Sequence, residues 1–361
     1  MSTTATPRSA RKAPRETLAE GYAKLPPDHT YVMAEAGNNH NGSVELAKEM
    51  VDVAVECGAD AIKLQKRDVP SMQTTEFLDR PFSVPGAEEW GDTYRKVREH
   101  IELDADQMAE LRDYCKGRID FVCTPFDIPS VRVLEDIGVD AYKVAAFTVT
   151  DLPVLEELSR TSKTIIMSAG MVTEDELRRA LEILRNNDLI LLHCISCYPM
   201  KPEDANLRLI EWLKKFGRPV GWSDHEVGIS LAPIAVALGA RVIEKHYTLN
   251  RALPGFDHAM SLEPAGLKKC IRDIRKVEAA MKGLSSHREV LPCELKCFDQ
   301  KRPTVCSTRA IRRGEMFTRD MLTTKAPNRG LAPRFIPEIV GKEAMEDIPA
   351  DTHITFSMVR L

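Results

Sequence analysis

Between Tyr31 and Met281, short apolar β-prone runs alternate with longer amphipathic stretches, and this alternation limits the possible folds more than any other feature. Strands are expected over Tyr31–Ala36, Ala61–Gln65, Asp120–Cys123, Ala141–Val144, Thr164–Ser168, Leu189–Cys194, Pro219–Trp222 and Val242–His246. Helix-like segments follow near Val44–Cys57, Ala105–Lys116, Ser130–Ile137, Leu152–Arg160, Glu174–Asn186, Leu207–Phe216, Leu231–Leu238 and Ala265–Met281. Parallel strands covered on both faces read as continuous apolar runs, whereas a helix on one side of a sheet keeps its 3.6-residue period. Eight such units in about 250 residues predict an α/β chain closed into a (β/α)8 TIM barrel. A doubly wound open sheet is the competitor, but it more often shows fewer units and a Gly-rich first turn.

At 361 residues the chain exceeds one ordinary domain. Residues 1–28 are expected as a disordered tail, Ser/Thr/Ala/Pro/Arg-rich at its start and without the apolar stretch of a secretory signal. Its acid-free beginning leaves an organelle-targeting segment as the alternative reading. The barrel is expected over 29–282. Within it a long insertion, Arg67–Leu103, separates the second strand from its helix and places Trp90 and Tyr94 among charges, which predicts an active-site lid with helix of its own. Residues 283–301 are expected as a linker. Residues 302–361 form a small α+β or β-rich module, near the lower size limit for independent folding.

Composition narrows the partners. Charged residues make up 29% and the net charge is -4, so there is no basic face for nucleic acid and no polybasic patch for a membrane. No apolar run approaches a membrane span. Small molecules and other protein chains remain. The nine cysteines are scattered, several inside apolar runs, which points to a reducing, cytoplasmic compartment.

In such a barrel the chemistry gathers at the C-terminal strand ends. Those ends carry Glu35, Lys63 with Gln65, Thr124, Lys143, Ser168, His193 to Tyr198, Ser223 with His225, and Glu244 with His246. Polar groups inside apolar runs are costly unless they share a polar cavity. His225 and His246 end adjacent strands and could bind one divalent ion with positions left open for oxygen ligands; Mn²⁺, Mg²⁺ and Zn²⁺ all suit. Each could instead be a satisfied core histidine. Lys63 and Lys143, with Thr124, Ser168, Ser196 and Ser223, could surround a phosphate dianion; a buried lysine alone could also form a Schiff base. Glu35 could bind hydroxyls, move a proton, or serve as a structural partner of a lysine. The Cys194/Cys197 pair has no matching second pair and carries little weight as a metal or redox motif.

The motifs Ala34-Glu-Ala-Gly-Asn-Asn-His-Asn-Gly, Ala59-Asp-Ala-Ile-Lys-Leu-Gln, Cys123-Thr-Pro-Phe, Ala141-Tyr-Lys-Val, Met167-Ser-Ala-Gly-Met, Leu192-His-Cys-Ile-Ser-Cys-Tyr-Pro, Gly221-Trp-Ser-Asp-His, Ile243-Glu-Lys-His-Tyr-Thr and Pro254-Gly-Phe-Asp-His run from about Tyr31 onward. Together they resemble the sialic acid (nonulosonic acid) synthases, which condense phosphoenolpyruvate with N-acetylmannosamine-like sugars. The terminal module resembles their antifreeze-like SAF domain. The resemblance implies His225 and His246 as ligands of a divalent metal, Mn²⁺ or Mg²⁺ first. It assigns phosphoenolpyruvate to Lys63, Thr124, Lys143, Ser168, Ser196 and Ser223, and the sugar or catalytic support to Glu35, Gln65, Tyr198 and Asp257. It also implies a domain-swapped homodimer in which the SAF domain reaches the partner's barrel.

This chain departs from that pattern in three places. After Lys143 it reads Val144-Ala-Ala-Phe-Thr148, without the usual hydroxyl and carboxylate. The usual Lys-Arg-Pro-Gly-x-Gly of the SAF domain appears as Lys325-Ala-Pro-Asn-Arg-Gly330, so Arg329 would have to replace an arginine three positions earlier. Cys123 stands where Ser is common. The condensation is therefore expected to be retained with an altered sugar. The rivals are a 3-deoxy-ulosonate phosphate synthase acting on a phosphorylated sugar, a degenerate barrel kept for sugar or protein binding, and a metal hydrolase. The last lacks the His-x-His usual on the first strand.

Overall fold

Eight parallel strands pair in chain order and close on themselves: β1 Tyr31–Gly37, β2 Ala61–Lys66, β3 Asp120–Pro125, β4 Ala141–Val144, β5 Thr164–Ser168, β6 Leu189–Cys194, β7 Val220–Asp224 and β8 Val242–His246. The ring closes where β8 pairs β1, with Glu35 opposite His246. The computed structural model describes residues 18–282 and 288–360, and the chain divides into two compact units, Met1–Lys282 and Gly283–Leu361. Among the described residues no helix is long and apolar enough to cross a membrane.

Strand pleat sorts the side chains. Met33, Ala61, Val122, Ala141, Ile166 and Val242 fill the barrel interior, and the residue two positions later on each strand is polar: Glu35, Lys63, Thr124, Lys143, Ser168 and Glu244. Because alternate residues share a face, the apolar plug and the polar rim are successive layers of one inward surface. The intervening residues pack outward against the helices, among them Ile62, Cys123, Tyr142, Met167 and Trp222. Gly221 is needed where β7 meets β8, since a Cβ there would lie 2.2 Å from the Val242 carbonyl oxygen. Side-chain caps fix several helix starts: Ser43 accepts from the Leu46 amide, and Asp104 and Thr173 form capping boxes with Gln107 and Glu176.

The expected tail needs correction at its end. Residues 1–17 lie outside the described residues, but Leu18 is fully buried beneath the barrel, and short 3-10 turns span Leu18–Glu20 and Tyr22–Lys24. The Leu18 amide donates to Asp120 Oδ2 (2.9 Å), its carbonyl accepts from Thr164 Oγ1 (3.1 Å), and the Tyr22 amide donates to Asp188 Oδ2 (2.7 Å). One leucine and three hydrogen bonds tie down a segment whose composition reads as unstructured. Leu18→Ala is expected to lower unfolding free energy by about 2–3 kcal/mol, the usual result of emptying a leucine site. A denaturant titration showing less than about 0.5 kcal/mol, the range of neutral surface changes, would detach this segment from the barrel core.

The insertion after β2 folds as a cap, with helical pieces Val69–Met72, Thr75–Leu78, Glu88–Trp90 and Tyr94–Ile101. Phe82 and Tyr94 pack on Phe256 from the loop after β8. In the second unit, β9 Thr304–Ser307 and β10 Leu322–Lys325 form an antiparallel pair over a core that includes Val305, Phe317, Ile339 and Ile354. The expected linker contains a helix. Residues 283–287 lie outside the described residues, but a helix spans Leu295–Lys301 and the Asp299 carbonyl accepts from the Asn328 amide.

Candidate active site

A cavity of about 320 Å³ opens at the C-terminal strand ends. Glu35, Lys63, Gln65, Thr124, Lys143, Ser168, Tyr198, Ser223, His225, His246 and Asp257 all line it, so eleven of the thirteen expected site residues meet in one place. The other two do not. Ser196 follows β6 beside the cavity wall, its Oγ 3.9 Å from Cys194 Sγ, and Arg329 is an exposed residue of the second unit.

At the floor of the cavity lies a row of alternating charges. Lys63 Nζ sits 2.8 Å from Glu35 Oε1 and 3.2 Å from Glu244 Oε1, and Lys143 Nζ sits 3.3 Å from Glu244 Oε2. All four side chains are buried, and the row is neutral overall. Burial would raise both carboxylates, but their neighbours differ. Glu35 has only Lys63 and the Gln65 amide (2.8 Å) against the pull of burial, so its carboxyl is pushed up to about 7. Against burial, Lys143 and Lys63 together hold Glu244 well below the usual carboxylate range. Burial would likewise depress Lys63, and Glu35 and Glu244 reverse it, keeping the ammonium charged. Carboxylates driven apart in this way can serve as a proton carrier and a fixed counterion.

Beside this row stand two imidazoles, 5.4 Å apart between ring centroids. Burial lowers each to about 4, so both are neutral at pH 7. The Ile195 carbonyl lies 2.7 Å from His225 Nδ1; a carbonyl only accepts, so Nδ1 carries the proton and Nε2 keeps its lone pair. His246 Nδ1 is buried without a hydrogen-bond partner, 4.0 Å from Asp257 Oδ2. Among the described residues no group of three or more His, Cys, Asp or Glu side chains converges as a metal cage. Two lone pairs with a half-buried carboxylate nearby fit an open divalent site whose shell is completed by water or substrate oxygens.

Further buried atoms on this wall have no hydrogen-bond partner among the described residues, among them Glu35 Oε2, Thr124 Oγ1 and Ser168 Oγ. An unsatisfied buried polar atom costs about 1–3 kcal/mol, so this wall is built for a polar ligand. Gly37 lets three polar groups meet: a Cβ there would lie 3.1–3.2 Å from Glu35 Oε1, Asp257 Oδ2 and Gln65 Nε2, at a φ of +54°. Gly37→Ala is expected to cost about 1–2 kcal/mol from the left-handed backbone alone and to lower turnover more than stability. Thermal melts and initial rates on one preparation check both. A variant with wild-type rates would show that this convergence is not used.

Several wall residues carry no assigned role from sequence. Glu244 joins the two lysines; its position two before His246 puts it on the same inward face, which was the available signal. Asn38, Arg67 and Phe256 come from loops and Arg98 from the inserted helix Tyr94–Ile101, where the strand periodicity of the barrel reports no direction. The Ala145, Ala146 and Phe147 stretch makes an apolar wall, with Phe147 stacked on Phe126 at 5.2 Å. Thr148 is buried away from the cavity. Cys123 faces the helices, so its difference from Ser does not touch the site.

Residues 50–286 match the NeuB family and residues 302–360 the SAF domain. Human N-acetylneuraminate-9-phosphate synthase is 36% identical over 335 residues, covering 91% of this chain and 92% of its own. The N,N'-diacetyllegionaminic acid synthase of Campylobacter jejuni is 35% identical, covering 89% of this chain and 98% of its own. Among solved structures, the N-acetylneuraminic acid (sialic acid) synthetase of Leptospira borgpetersenii in complex with citrate superposes with a TM-score of 0.64 at 33% identity, over 74% of this chain and 90% of its own.

Proposed function

This chain belongs to the NeuB family, and from that premise we propose that it condenses phosphoenolpyruvate with the open-chain form of an N-acylated amino sugar, giving a nonulosonic acid and phosphate. The observation that carries the reading is the neutral row Glu35, Lys63, Glu244, Lys143 beside two uncharged imidazoles at one barrel mouth. Lys63 and Lys143 pair with the phosphoryl group of phosphoenolpyruvate, and the hydroxyls of Thr124, Ser168 and Ser223 donate to its oxygens. C3 of the enol attacks the aldehyde carbon, forming the new C–C bond as the C=O π pair moves to oxygen, which takes up a proton from solvent, and C2 is left cationic. Water then adds at the cationic C2, and the C2–O bond breaks to release phosphate. Glu35, poised near neutrality, takes the proton of that water; Gln65 and Asp257 orient the sugar around it. Mn²⁺ or Mg²⁺ held by His225 and His246 would supply Lewis-acid polarisation of the aldehyde oxygen. A dimer in which Arg329 from a second copy meets the sugar's acyl group belongs to the same reading. Sedimentation of the full chain and Arg329→Ala kinetics test it.

The test is to incubate the protein with phosphoenolpyruvate, Mn²⁺ and a panel of free and phosphorylated hexosamines. One phosphate released per phosphoenolpyruvate is expected, with oxygen-18 from the C2 position leaving in the phosphate. No release with any amino sugar would end the proposal.

The acid limb of the rate profile belongs to Glu35 on this account. A base must be ionised, and a carboxyl raised to about 7 is protonated below that value, so kcat/KM should fall about tenfold per pH unit beneath it. In Glu35→Gln, turnover should drop about 100-fold or more and the residual rate should lose the inflection. An unchanged inflection would assign it elsewhere.

A further inference from the structure

On the outer side of the barrel wall, behind the two imidazoles, lies an ion pair that the chemistry above does not use. Asp224 ends β7 and Lys245 is the penultimate residue of β8, each one position before a histidine of the cavity, and the two are direct partners across the strands. Strand alternation turns Ser223, Glu244 and His246 into the cavity, so Asp224 and Lys245 face the helix layer with Trp222 and Ile243, two residues before them. Each is 1% exposed, and Lys245 Nζ sits 2.8 Å from Asp224 Oδ2. The same ammonium donates to the Glu226 carbonyl, and Asp224 Oδ1 accepts from the Glu226 amide (2.9 Å). His225 lies between these ties, one residue past the last ladder pair of β7 and β8. Its carbonyl accepts from the Met200 amide (3.0 Å) and its Nδ1 donates to the Ile195 carbonyl. The turn that carries His225 is therefore held on both sides, and one of the holding groups is the residue next to His246.

We infer that Asp224 and Lys245 are positioning residues: from the helix side of the wall their ion pair fixes the end of β7 against β8, and thereby the spacing at which His225 and His246 meet a divalent ion. This rests on reading those imidazoles as a metal site and names what builds it. Stability gives little reason for the pair, because taking two charges out of water offsets their attraction, and apolar residues of similar volume usually serve a fold as well or better. Facing the helices, it also cannot touch a substrate. What it can do is hold a register, since an ammonium bonded to both Asp224 and the Glu226 carbonyl resists any slip of one strand end past the other. A site with two histidines and a shell completed by oxygens has little else to define its geometry. Groups that hold metal ligands from behind contribute about 10- to 100-fold in affinity.

The test is Mn²⁺ titration of the full chain without substrates, followed by electron paramagnetic resonance, with denaturant midpoints taken on the same preparations. Wild type is compared with Asp224→Asn, Lys245→Met and the double variant Asp224→Leu with Lys245→Met. Each single variant should bind Mn²⁺ about 10- to 100-fold more weakly than wild type and unfold at lower denaturant. The double variant leaves no buried charge unpaired, so its midpoint should return to the wild-type value or exceed it while Mn²⁺ affinity stays about 10- to 100-fold low. A merely structural pair would not separate the two readouts. In the phosphate-release assay the variants should need correspondingly more Mn²⁺ for half-maximal rate, with KM for phosphoenolpyruvate within about twofold of wild type at saturating metal. A double variant with wild-type stability and wild-type affinity would overturn the inference, and so would one that fails to fold, since the pair would then serve the fold itself. If wild type binds none of Mn²⁺, Mg²⁺ and Zn²⁺, the metal reading fails and takes the inference with it; a wild type that binds metal beside variants that bind it equally well strikes the inference alone.

Discussion

Glu244→Gln should destabilise the free protein by about 3 kcal/mol and cut phosphate release by about 100-fold or more. One carboxylate neutralises two buried ammonium groups, at 3.2 Å from Lys63 and 3.3 Å from Lys143. The amide keeps the shape and removes the charge, leaving two cations with Glu35 alone. Removing one partner from a buried ion network costs more than the network contributes over apolar packing, because the orphaned charge stays desolvated. The Glu244 carboxyl is held below its ordinary value of 4.5, so its contribution is fully present above that pH and is lost only as pH falls through the depressed value. Phosphoenolpyruvate brings negative charge to the same lysines, so it should raise the melting temperature of the variant more than that of wild type. Equal melting temperatures without ligand, together with intact turnover, would remove Glu244 from the network.

His225→Ala should reduce turnover by about 1000-fold while the fold survives. The imidazole lies at the cavity, its ring 4.2 Å from that of Tyr198 and 5.4 Å from that of His246, and its Nδ1 donates to the Ile195 carbonyl at 2.7 Å with Cys194 Sγ 3.9 Å away. Few core contacts depend on it. The neutral form that burial enforces has a free lone pair on Nε2, the feature that alanine removes. Loss of Mn²⁺ affinity, read by electron paramagnetic resonance, should accompany the kinetic loss, with far-ultraviolet circular dichroism unchanged. Turnover within a few-fold of wild type would take His225 out of the mechanism.

Much of this was legible in the chain itself. β4, β5, β6 and β8 coincide with the expected runs Ala141–Val144, Thr164–Ser168, Leu189–Cys194 and Val242–His246, since burial on both faces makes each a short apolar run with polar groups at or near its C-terminal end. Lys143, Ser168 and His246 could therefore be named before any contact was known. Helix ends were less clear: the stretch Leu207–Phe216 is a short helix, Leu209–Leu213, that tightens into a 3-10 turn. Local sequence does not decide how a last turn winds.

What the sequence determined by itself was periodic: eight strand–helix units, a polar rim two residues above an apolar plug, and hence the set of groups that face one mouth. Only tertiary structure decided which of those groups meet. Glu244 bridges Lys63 and Lys143 because barrel closure sets β8 beside β1 and brings three distant strands to one floor. Leu18 is buried because the barrel bottom offers Asp120 and Thr164 to its backbone, and Arg67 faces Arg98 because a loop folds over the rim. The physical reason is range: alternation follows from the geometry of neighbouring residues along one strand, whereas charge pairing and loop burial depend on distances that exist only after the chain has closed.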